Sequence, residues 1–352
     1  MASRLGRPTP WQPSATPLHL GVLLFVLGAL TDLPLARTAV NRDADARVRP
    51  DLFPELLADP QARVLPLWHG KTLMDGDRIA LLAAGALPVA EVLCYLGRTV
   101  ESGSSAELGA PVILAVVTDA VAQTIEADPA LWVSLRESGG ALSPGDSALM
   151  TAAVALANWH ASHGHCPKCG TATEPSLGGW MRLCPNCHNQ VFPRTDPAVI
   201  VLVLDDDDRL LLGSNILWPE GRYSLLAGFV EAGESLEQAV CREIAEESGL
   251  TVENPVYLGS QPWPFPRSMM LGFSARVAAG HDPDLLRPDG EEIVDLRWLS
   301  REQLRSEAAT LLLPGPVSIA RSLIDHWLVA DGGPSLDEAA GAASAASAVT
   351  QA

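Results

Sequence analysis

The stretch that decides the fold is Gly228–Leu250, which reads GFVEAGESLEQAVCREIAEESGL. Residues 236–248 predict a helix that ends before a glycine, the usual residue just past a helix C-terminus. On a helix, Glu243 lies three and four residues from Glu246 and Glu247, so all three carboxylates project from one face. Like charges at this spacing destabilise a helix unless a cation neutralises them, and carboxylate oxygens suit Mg²⁺ or Mn²⁺.

A solvated acidic face is the alternative interpretation of the same charges. Arg242 is the one base between residues 236 and 248. It can pair with Glu234, upstream of the helix, or hold one of the helix carboxylates in place. The charge pattern alone does not choose between a cation site and a solvated surface.

The spacing of the segment resembles the Nudix hydrolase signature, G-x5-E-x7-R-E-U-x-E-E-x-G-U, where U is apolar. Every fixed position is filled, by Gly228, Glu234, Arg242, Glu243, Ile244, Glu246, Glu247, Gly249 and Leu250. The resemblance implies the Nudix fold, a mixed β-sheet sandwiched between helices. It also implies hydrolysis of a nucleoside diphosphate linked to another moiety.

Divalent ions would let this acidic segment hold a doubly anionic diphosphate and would activate water for attack on phosphorus. We expect Glu243, Glu246 and Glu247 to bind the ions. Either Glu246 or Glu247 is expected to accept the proton of the attacking water. Glu234 is expected to support the loop or to reach a metal through water.

Four of the six cysteines form a second pattern, Cys-x2-Cys followed after fourteen residues by Cys-x2-Cys. Two such knuckles can place four thiolates tetrahedrally around one Zn²⁺. Protein ligands then fill every position, so we predict one structural zinc per chain. The predicted ligands are Cys166, Cys169, Cys184 and Cys187. Cys94 and Cys241 are expected to be bystanders, and the flanking His165 and His188 are not counted as ligands.

The composition limits the class of protein. The chain has 352 residues, a formal charge of −18 and 47% hydrophobic residues, which indicate folded cores rather than global disorder. Such acidity argues against an extended basic groove for nucleic acid.

Paired CxxC knuckles in a chain this long favour a reducing compartment, so we expect a cytoplasmic protein. The apolar run Leu18–Leu30 is too short to span a membrane; a signal peptide is the alternative to a dispensable extension.

Residues 260–268 read SQPWPFPRS. Three alternating prolines forbid an ordinary helix or central strand, so we expect a rigid loop that carries Trp263 and Phe265. Aromatic surfaces with polar neighbours suit a planar base or a nicotinamide ring. A proline-rich surface loop without function is the alternative.

This array resembles the SQPWPFPxS signature of the NADH pyrophosphatases, the NudC-type Nudix hydrolases, which also carry a four-cysteine zinc module ahead of the catalytic domain. The resemblance covers roughly residues 34–330. It implies cleavage of NADH or NAD⁺ into nicotinamide mononucleotide and AMP, and removal of 5′ NAD caps from RNA. It also implies a homodimer in which both subunits contribute to each site.

The resemblance assigns roles to further residues. Phe229 falls where an aromatic ring stacks on nicotinamide, and Glu292 falls at a further metal-binding carboxylate, with Glu291 as the alternative one residue away. Phe192 replaces a residue that is often Tyr in the family. The residues implied in the substrate loop are Gln261, Trp263, Phe265 and Ser268.

The predicted organisation, of mixed α+β and α/β class, has five parts. They are an unplaced N-terminal extension (1–33), an N-terminal α+β domain without catalytic residues (34–162), a zinc ribbon (163–193), a Nudix domain (194–330) and a disordered tail (331–352).

One alternative function is a Nudix hydrolase of ADP-ribose or other dinucleotides, against which the proline-aromatic array argues. The other is a regulatory zinc or RNA-binding protein with an inactive Nudix domain, against which the intact carboxylates argue. Any RNA is expected to be held at its 5′ end.

Overall fold

The computed structural model describes residues 29–37, 39–86, 90–100 and 108–341. Most of the apolar run Leu18–Leu30 and the end of the predicted tail, from residue 342, lie outside these residues. Within the described ranges, no helix is both long enough and apolar enough to cross a membrane.

The N-terminal domain is built on an eight-stranded mixed sheet. Its strands are β1 (Val40–Asn41), β2 (Arg63–Trp68), β3 (Lys71–Asp75), β4 (Arg78–Ile79), β5 (Leu82–Ala83), β6 (Val92–Val100), β7 (Leu108–Val116) and β8 (Trp132–Ser134). The main order is β1-β6-β7-β2-β3-β4, with β5 beside β2 and β8 beside β3. Strands β2 and β7 pair in parallel.

Four helices accompany this sheet, and they are α1 (Leu52–Ala58), α2 (Asp119–Ile125), α3 (Leu135–Ser138) and α4 (Pro144–Ser162). Helix α4 begins after Ser143, whose hydroxyl caps it by accepting a hydrogen bond from the Asp146 amide at 3.1 Å. Its small and apolar residues are buried around most of the helix, as in a core helix.

The cysteine module is a three-stranded antiparallel sheet of order β11-β10-β9, with β9 (Glu174–Ser176), β10 (Met181–Leu183) and β11 (Gln190–Val191). Side-chain hydrogen bonds attach it to the N-terminal domain. The Trp180 indole donates to the Tyr95 carbonyl at 2.6 Å, and the His160 ring bonds the Gly179 carbonyl at 2.8 Å. The ribbon therefore packs against the N-terminal domain.

The C-terminal domain contains a six-stranded mixed sheet of order β15-β16-β12-β13-β17, with β14 beside β12. Its strands are β12 (Asp196–Leu204), β13 (Leu210–Asn215), β14 (Leu226–Phe229), β15 (Val252–Trp263), β16 (Ser268–Val277) and β17 (Ile293–Leu299). The helices are α5 (Leu236–Ser248), α6 (Arg301–Glu307) and α7 (Ile319–Leu328). Strands β12 and β16 pair in parallel, as β2 and β7 do in the first domain.

Strand β12 shows why this sheet is covered on both faces. Its residues alternate between two cores: Val199, Val201 and Val203 lie in the core that contains α5. Ile200, Leu202 and Leu204 lie in the core that contains α7. A strand of apolar residues with both faces buried is expected when helices cover both sides of a sheet. The predicted mixed sheet between helices is therefore confirmed.

The proline-aromatic array differs from the predicted loop. Strand β15 continues through Trp263 and β16 begins at Ser268, so only residues 264–267 form the turn between them. Pro262 pairs in register with Met269. Because β15 is an edge strand of the sheet, a proline can lie in it without leaving a neighbouring strand unpaired. The exclusion of a central strand holds, but the prediction of a loop across all nine residues is wrong.

The tail prediction is also wrong for residues 331–341. Residues 336–341 are helical, and Leu336 is buried in the core beside α7. Ion pairs hold the segment in place: Arg305 binds Asp331 and Arg321 binds Asp337, each at 2.6 Å. The Ala- and Gly-rich composition predicted disorder because it gave no sign that Leu336 would be buried.

Replacing Leu336 with Ala tests this packing. Removing a buried leucine side chain is expected to lower the free energy of unfolding by about 2–5 kcal/mol, measured by urea denaturation. The matched control is Leu217→Ala, because Leu217 is 87% exposed and should change stability little. Equal stability of the two variants would contradict the packed position of the segment.

Candidate active site and zinc site

The four predicted zinc ligands lie together. Their sulfur atoms are all within 4.8 Å of one another, and three of the pairs are 3.5–3.6 Å apart. A tetrahedral site with zinc–sulfur bonds of about 2.3 Å requires sulfurs roughly 3.8 Å apart, so this quartet fits Zn²⁺. Neither His165 nor His188 belongs to the cluster. All four positions are cysteines, which leaves no open position for substrate.

Helix α5 spans residues 236–248, as predicted. A capping box starts it: the Ser235 hydroxyl accepts from the Gln238 amide at 3.2 Å, and the Gln238 side chain accepts from the Ser235 amide at 2.9 Å. Gly249 ends it in the left-handed region with φ 73°, where glycine avoids the Cβ clash of other residues. These two ends fix which residues of α5 face the sheet.

Gly228 allows the helix to approach β14 closely. A Cβ atom at Gly228 would overlap the carboxyl group of Glu243. Any side chain at position 228 would collide with the Glu243 carboxylate where it now lies, which explains the glycine of the signature.

Arg242 binds three of the signature carboxylates. Its guanidinium donates to both oxygens of Glu234 at 2.8 Å, and one of its nitrogens donates to Glu243 and to Glu246, each at 2.9 Å. It also donates to the Phe229 carbonyl at 2.9 Å. Both options that the sequence left open for Arg242 are thus realised. The bond from Arg242 lowers the pKa of Glu234 to about 2, so Glu234 is a charged support of the loop.

Glu247 has a different environment. Its side chain is buried, and one of its carboxylate oxygens has no hydrogen-bond partner. Burial first, and then the nearby Glu243, Glu292 and Asp289, raise the pKa of Glu247 to about 8. A buried carboxylate oxygen without a partner among other carboxylates is costly unless a cation binds it. The donor set is all oxygen, which fits Mg²⁺ or Mn²⁺.

Glu292 lies next to this carboxylate, just ahead of β17. Asn215 donates to its side chain at 3.2 Å, and the Asp289 carboxylate accepts from the backbone amides of residues 291–293. Glu292 lines the cavities on both sides of the carboxylate cluster, whereas Glu291 lines neither. The geometry therefore favours Glu292 over its neighbour.

Glu246 lies at the exposed edge of the acidic group and shares an Arg242 nitrogen with Glu243. Its side chain is 58% exposed and its partner is Arg242. It lines neither of the two cavities beside the cluster. In the described part of the chain, no three acidic side chains reach the 4.8 Å spacing of the cysteines. Glu243, Glu246 and Glu247 thus differ in exposure, and their joint role as metal ligands stays a prediction.

Two cavities meet at Ala227, Met270 and Glu292. The first, which we call the Phe229 cavity, has a volume of 460 Å³ and includes Phe229, Glu243 and Ser268. The second, the Trp263 cavity, has a volume of 480 Å³. Its lining includes Arg136, Trp218, Arg222, Glu247 and Trp263. The candidate metal-binding carboxylates thus lie between two chambers, an arrangement that suits a substrate with two halves joined by a diphosphate.

Other residues implied in substrate binding lie elsewhere. Gln261 is fully buried. Its side-chain oxygen accepts a hydrogen bond from the Leu35 backbone N–H at 3.1 Å, and its side-chain nitrogen donates to the Val317 carbonyl at 2.9 Å. Its place is thus structural, because it joins the N-terminal segment to the region before α7. Phe265 packs edge-on against Trp263 with ring centroids 5.0 Å apart. Phe192 is 52% exposed and lines neither cavity.

Arg136 is a site residue that the sequence analysis missed. It comes from α3 of the N-terminal domain, and its guanidinium lies 4.0 Å from the centroid of Phe265 and 5.0 Å from that of Trp263. It lines the Trp263 cavity. No local pattern marks it, since its position depends on how the two domains pack. The N-terminal domain, expected to stay apart from the chemistry, contributes to the cavity wall.

Comparison with known proteins places the three parts of the chain. The family model for the NADH pyrophosphatase-like rudimentary NUDIX domain matches residues 61–159, that for the NADH pyrophosphatase zinc ribbon domain matches 161–192, and that for the NUDIX domain matches 194–319. The chain is 40% identical over 313 residues to a protein of Mycobacterium bovis named "NAD-capped RNA hydrolase NudC", covering 85% of this chain and 96% of that one. The chain belongs to the NADH pyrophosphatase family of Nudix hydrolases.

Other members of this family are also similar. A protein of Stutzerimonas stutzeri named "NAD-capped RNA hydrolase NudC" is 41% identical over 199 residues, which is 56% of this chain and 68% of that one. A protein of Schizosaccharomyces pombe named "NAD-capped RNA hydrolase" is 35% identical over 269 residues, 68% of this chain and 71% of that one. The predicted membership of the NADH pyrophosphatase family, its zinc ribbon and its Nudix domain are confirmed.

Replacing Cys166 with Ser tests the zinc site of this family member. Loss of one thiolate is expected to reduce bound zinc well below about one ion per chain and to lower the free energy of unfolding, because structural zinc contributes folding free energy. Zinc is measured by plasma emission and stability by denaturation. Cys241→Ser is the matched control, since Cys241 lies outside the quartet. Unchanged zinc content in Cys166→Ser would refute the site.

Replacing Gly228 with Ala tests the contact with Glu243. The new Cβ would displace the flexible carboxyl end of Glu243 while the backbone stays in place. We expect turnover to fall by about 10²-fold or more, as for a misplaced catalytic group, with little change in the denaturation midpoint. Gly164→Ala is the control, since a Cβ there meets no atom within 4 Å. Normal turnover in Gly228→Ala would show that Glu243 need not lie here.

Proposed function

We propose that this protein hydrolyses the diphosphate of NADH and NAD⁺ to nicotinamide mononucleotide, reduced or oxidised, and AMP, and that it removes 5′ NAD caps from RNA. As a Nudix hydrolase it cleaves a pyrophosphate bond. The observation that carries the proposal is the group of acidic residues, Glu243, Glu247 and Glu292, at the junction of two cavities. The names of its relatives, NAD-capped RNA hydrolases, support the choice of substrate.

Glu243, Glu247 and Glu292 are proposed to hold Mg²⁺ or Mn²⁺. When bound, these ions would neutralise phosphate oxygens and lower the pKa of a bound water molecule. Glu247 supports this assignment best, because its buried oxygen has no partner in the protein. Arg242 and Glu234 act by position, since their bonds hold the loop and the Glu243 carboxylate.

The two glutamates left open as general base have different surroundings. Glu247 is buried between the cavities, whereas Glu246 is exposed and bound to Arg242. Arg242 binds one oxygen of Glu246, which leaves only the other oxygen for a metal or a metal-bound water. We therefore propose that Glu247 has the larger part in catalysis, as ligand or proton acceptor, and that Glu246 contributes less.

The nicotinamide half is proposed to lie in the Phe229 cavity. The Phe229 ring is 59% exposed there and provides a flat apolar surface. Ser268 offers a hydroxyl in the same cavity. An exposed aromatic surface beside a polar group suits the nicotinamide amide and ring. The adenylate half then falls in the Trp263 cavity, on the other side of Glu292.

We also propose that the protein is a cytoplasmic homodimer. The exposed ring of Phe192 lines neither cavity of its own chain, and the family resemblance has both subunits contribute to each site. In that arrangement Phe192 would complete the site of the partner. The four cysteines of the zinc quartet are typical of a reducing compartment, which supports a cytoplasmic location.

A substrate comparison tests the function. The protein with Mn²⁺ or Mg²⁺ is incubated separately with NADH, NAD⁺, ADP-ribose and a short NAD-capped RNA, and the products are separated. We expect AMP from NADH and a 5′-monophosphate end from the capped RNA. If ADP-ribose alone is cleaved, the dinucleotide alternative is right. If nothing is cleaved, the domain is inactive and a binding function remains.

Two glutamine substitutions test the carboxylates. Glu247→Gln is expected to lower kcat by about 10³-fold, and Glu246→Gln by roughly tenfold to a hundredfold, in the range of single acid–base or electrostatic groups. Glu237→Gln, an exposed change in the first turn of the same helix, is the control. A larger loss in Glu246→Gln than in Glu247→Gln would reverse the assignment.

A further inference from the structure

Arg222 is an exposed arginine on the wall of the Trp263 cavity. Its guanidinium lies 5.2 Å from the ring centroid of Trp218, which lines the same cavity. No side chain in the described ranges forms an ion pair or a hydrogen bond with it. Arg321, which lines the neighbouring groove together with Arg222, is by contrast bound to both Asp325 and Asp337. Arg222 thus presents an uncompensated positive charge beside the proposed adenylate chamber.

A second unpaired guanidinium lies in the same cavity. Arg136 lines it from the N-terminal domain, and no acidic side chain in the described part of the protein pairs with it. Burial, with a smaller contribution from Arg222, lowers the pKa of Arg136. Two positive groups close enough to affect each other are unfavourable unless an anion lies between or beside them. In a chain with a net charge of −18, two guanidiniums in one cavity without acidic partners among the described residues favour the binding of an anion there.

The anion is not the diphosphate that is cleaved. That diphosphate is proposed to lie at Glu292, the carboxylate shared by both cavities, where metal ions would neutralise it. Arg222 lies instead at the far side of the Trp263 cavity, because it also lines the next groove, together with Leu312 and Arg321. An anion bound by Arg222 is therefore carried by the adenylate half of the substrate.

We propose that Arg222 binds a phosphate attached to the ribose of the adenylate half. This inference rests on the proposed function, which puts the adenylate in the Trp263 cavity. Two substrates carry such a phosphate: an NAD-capped RNA, in which a phosphodiester joins the adenosine 3′ oxygen to the next nucleotide, and a dinucleotide with a 2′-phosphate, NADPH. Plain NADH has none. Arg222 is then a specificity residue, and it distinguishes substrates by a group remote from the bond that is cleaved.

Removing the charge tests the proposal. For Arg222→Gln we expect kcat/KM to fall about tenfold or more with NAD-capped RNA, with NADPH or with both, because a charge-assisted bond to phosphate is lost. kcat/KM with NADH should fall by a clearly smaller factor, because NADH lacks the group that Arg222 is proposed to bind. Arg222→Lys keeps the charge but not the bidentate geometry, and should recover part of the loss. Arg49→Gln, a change at a surface ion pair with Glu55, controls for one lost positive charge.

Salt dependence gives a second readout. If Arg222 contacts a phosphodiester of the RNA, the plot of log(kcat/KM) against log salt for the capped RNA should become shallower by about 0.7 in Arg222→Gln. The NADH plot should not change. A fall with NADPH alone assigns Arg222 to the 2′-phosphate, and a fall with capped RNA assigns it to the phosphodiester; either result supports the proposal.

Three outcomes overturn the proposal. An equal fall with NADH, NADPH and capped RNA would place Arg222 in general binding or folding. No fall with either ribose-phosphate substrate would show that no phosphate binds there. Cleavage of NADH alone by the unaltered protein would leave the proposed dinucleotide activity intact and remove the basis for this inference, whereas no cleavage of any substrate would refute the proposed function itself.

Discussion

The guanidinium of Arg242 holds the catalytic helix against the sheet, and the arrangement of the site depends on it. It binds Glu234 in the loop, Glu243 and Glu246 on α5, and the Phe229 carbonyl at the end of β14. One group thus fixes three segments that meet at the two cavities. Its five donors and planar shape make this possible, which a lysine could not match.

The Arg242 guanidinium does not bind every carboxylate near it. Arg242 satisfies Glu234, Glu243 and Glu246, and Glu247 remains buried with an oxygen that has no partner. Gly228 keeps Glu243 close by leaving space for its carboxyl group. The fold therefore concentrates negative charge at the proposed metal site, and a bound cation would offset the cost of this crowding. With such ions in place, an acidic protein could hold an anionic diphosphate.

The N-terminal domain takes part in the site through packing rather than chemistry of its own. Gln261, buried at the junction, bonds Leu35 on one side and Val317 on the other. Asn158 of α4 donates to the carbonyls of Pro264 and Pro266 at 2.9 and 3.2 Å. These contacts hold the turn after Trp263 and place Arg136 over Phe265. The proline-aromatic array thus serves as a joint between domains as well as a cavity wall.

Local sequence was sufficient where the determinant is local. The ends of α5 follow from Ser235, Gln238 and Gly249, and the cysteine spacing alone predicts the zinc quartet. The spacing of the glutamates predicts a cation site but not that Glu246 would be more exposed than Glu247. That difference depends on how the helix packs against the sheet.

Features that depend on tertiary packing could not be read from the sequence. Pro262 suggested a loop because the position of β15 at the sheet edge depends on the order of strands across the whole domain. Arg136 lies more than a hundred residues before Trp263 and carries no local pattern. Leu336 stands alone in a segment of small residues, so its burial against α7 has no periodic signal.

Anomalous scattering from a crystal soaked in Mn²⁺ would test the central claim most directly. The arrangement of the acidic residues predicts at least one Mn²⁺ ion about 2.1 Å from carboxylate oxygens of Glu247 and of Glu243 or Glu292, between the Phe229 and Trp263 cavities. An ion bound elsewhere, or no anomalous peak near Glu247 in a protein that still requires Mn²⁺ for hydrolysis, would contradict the account.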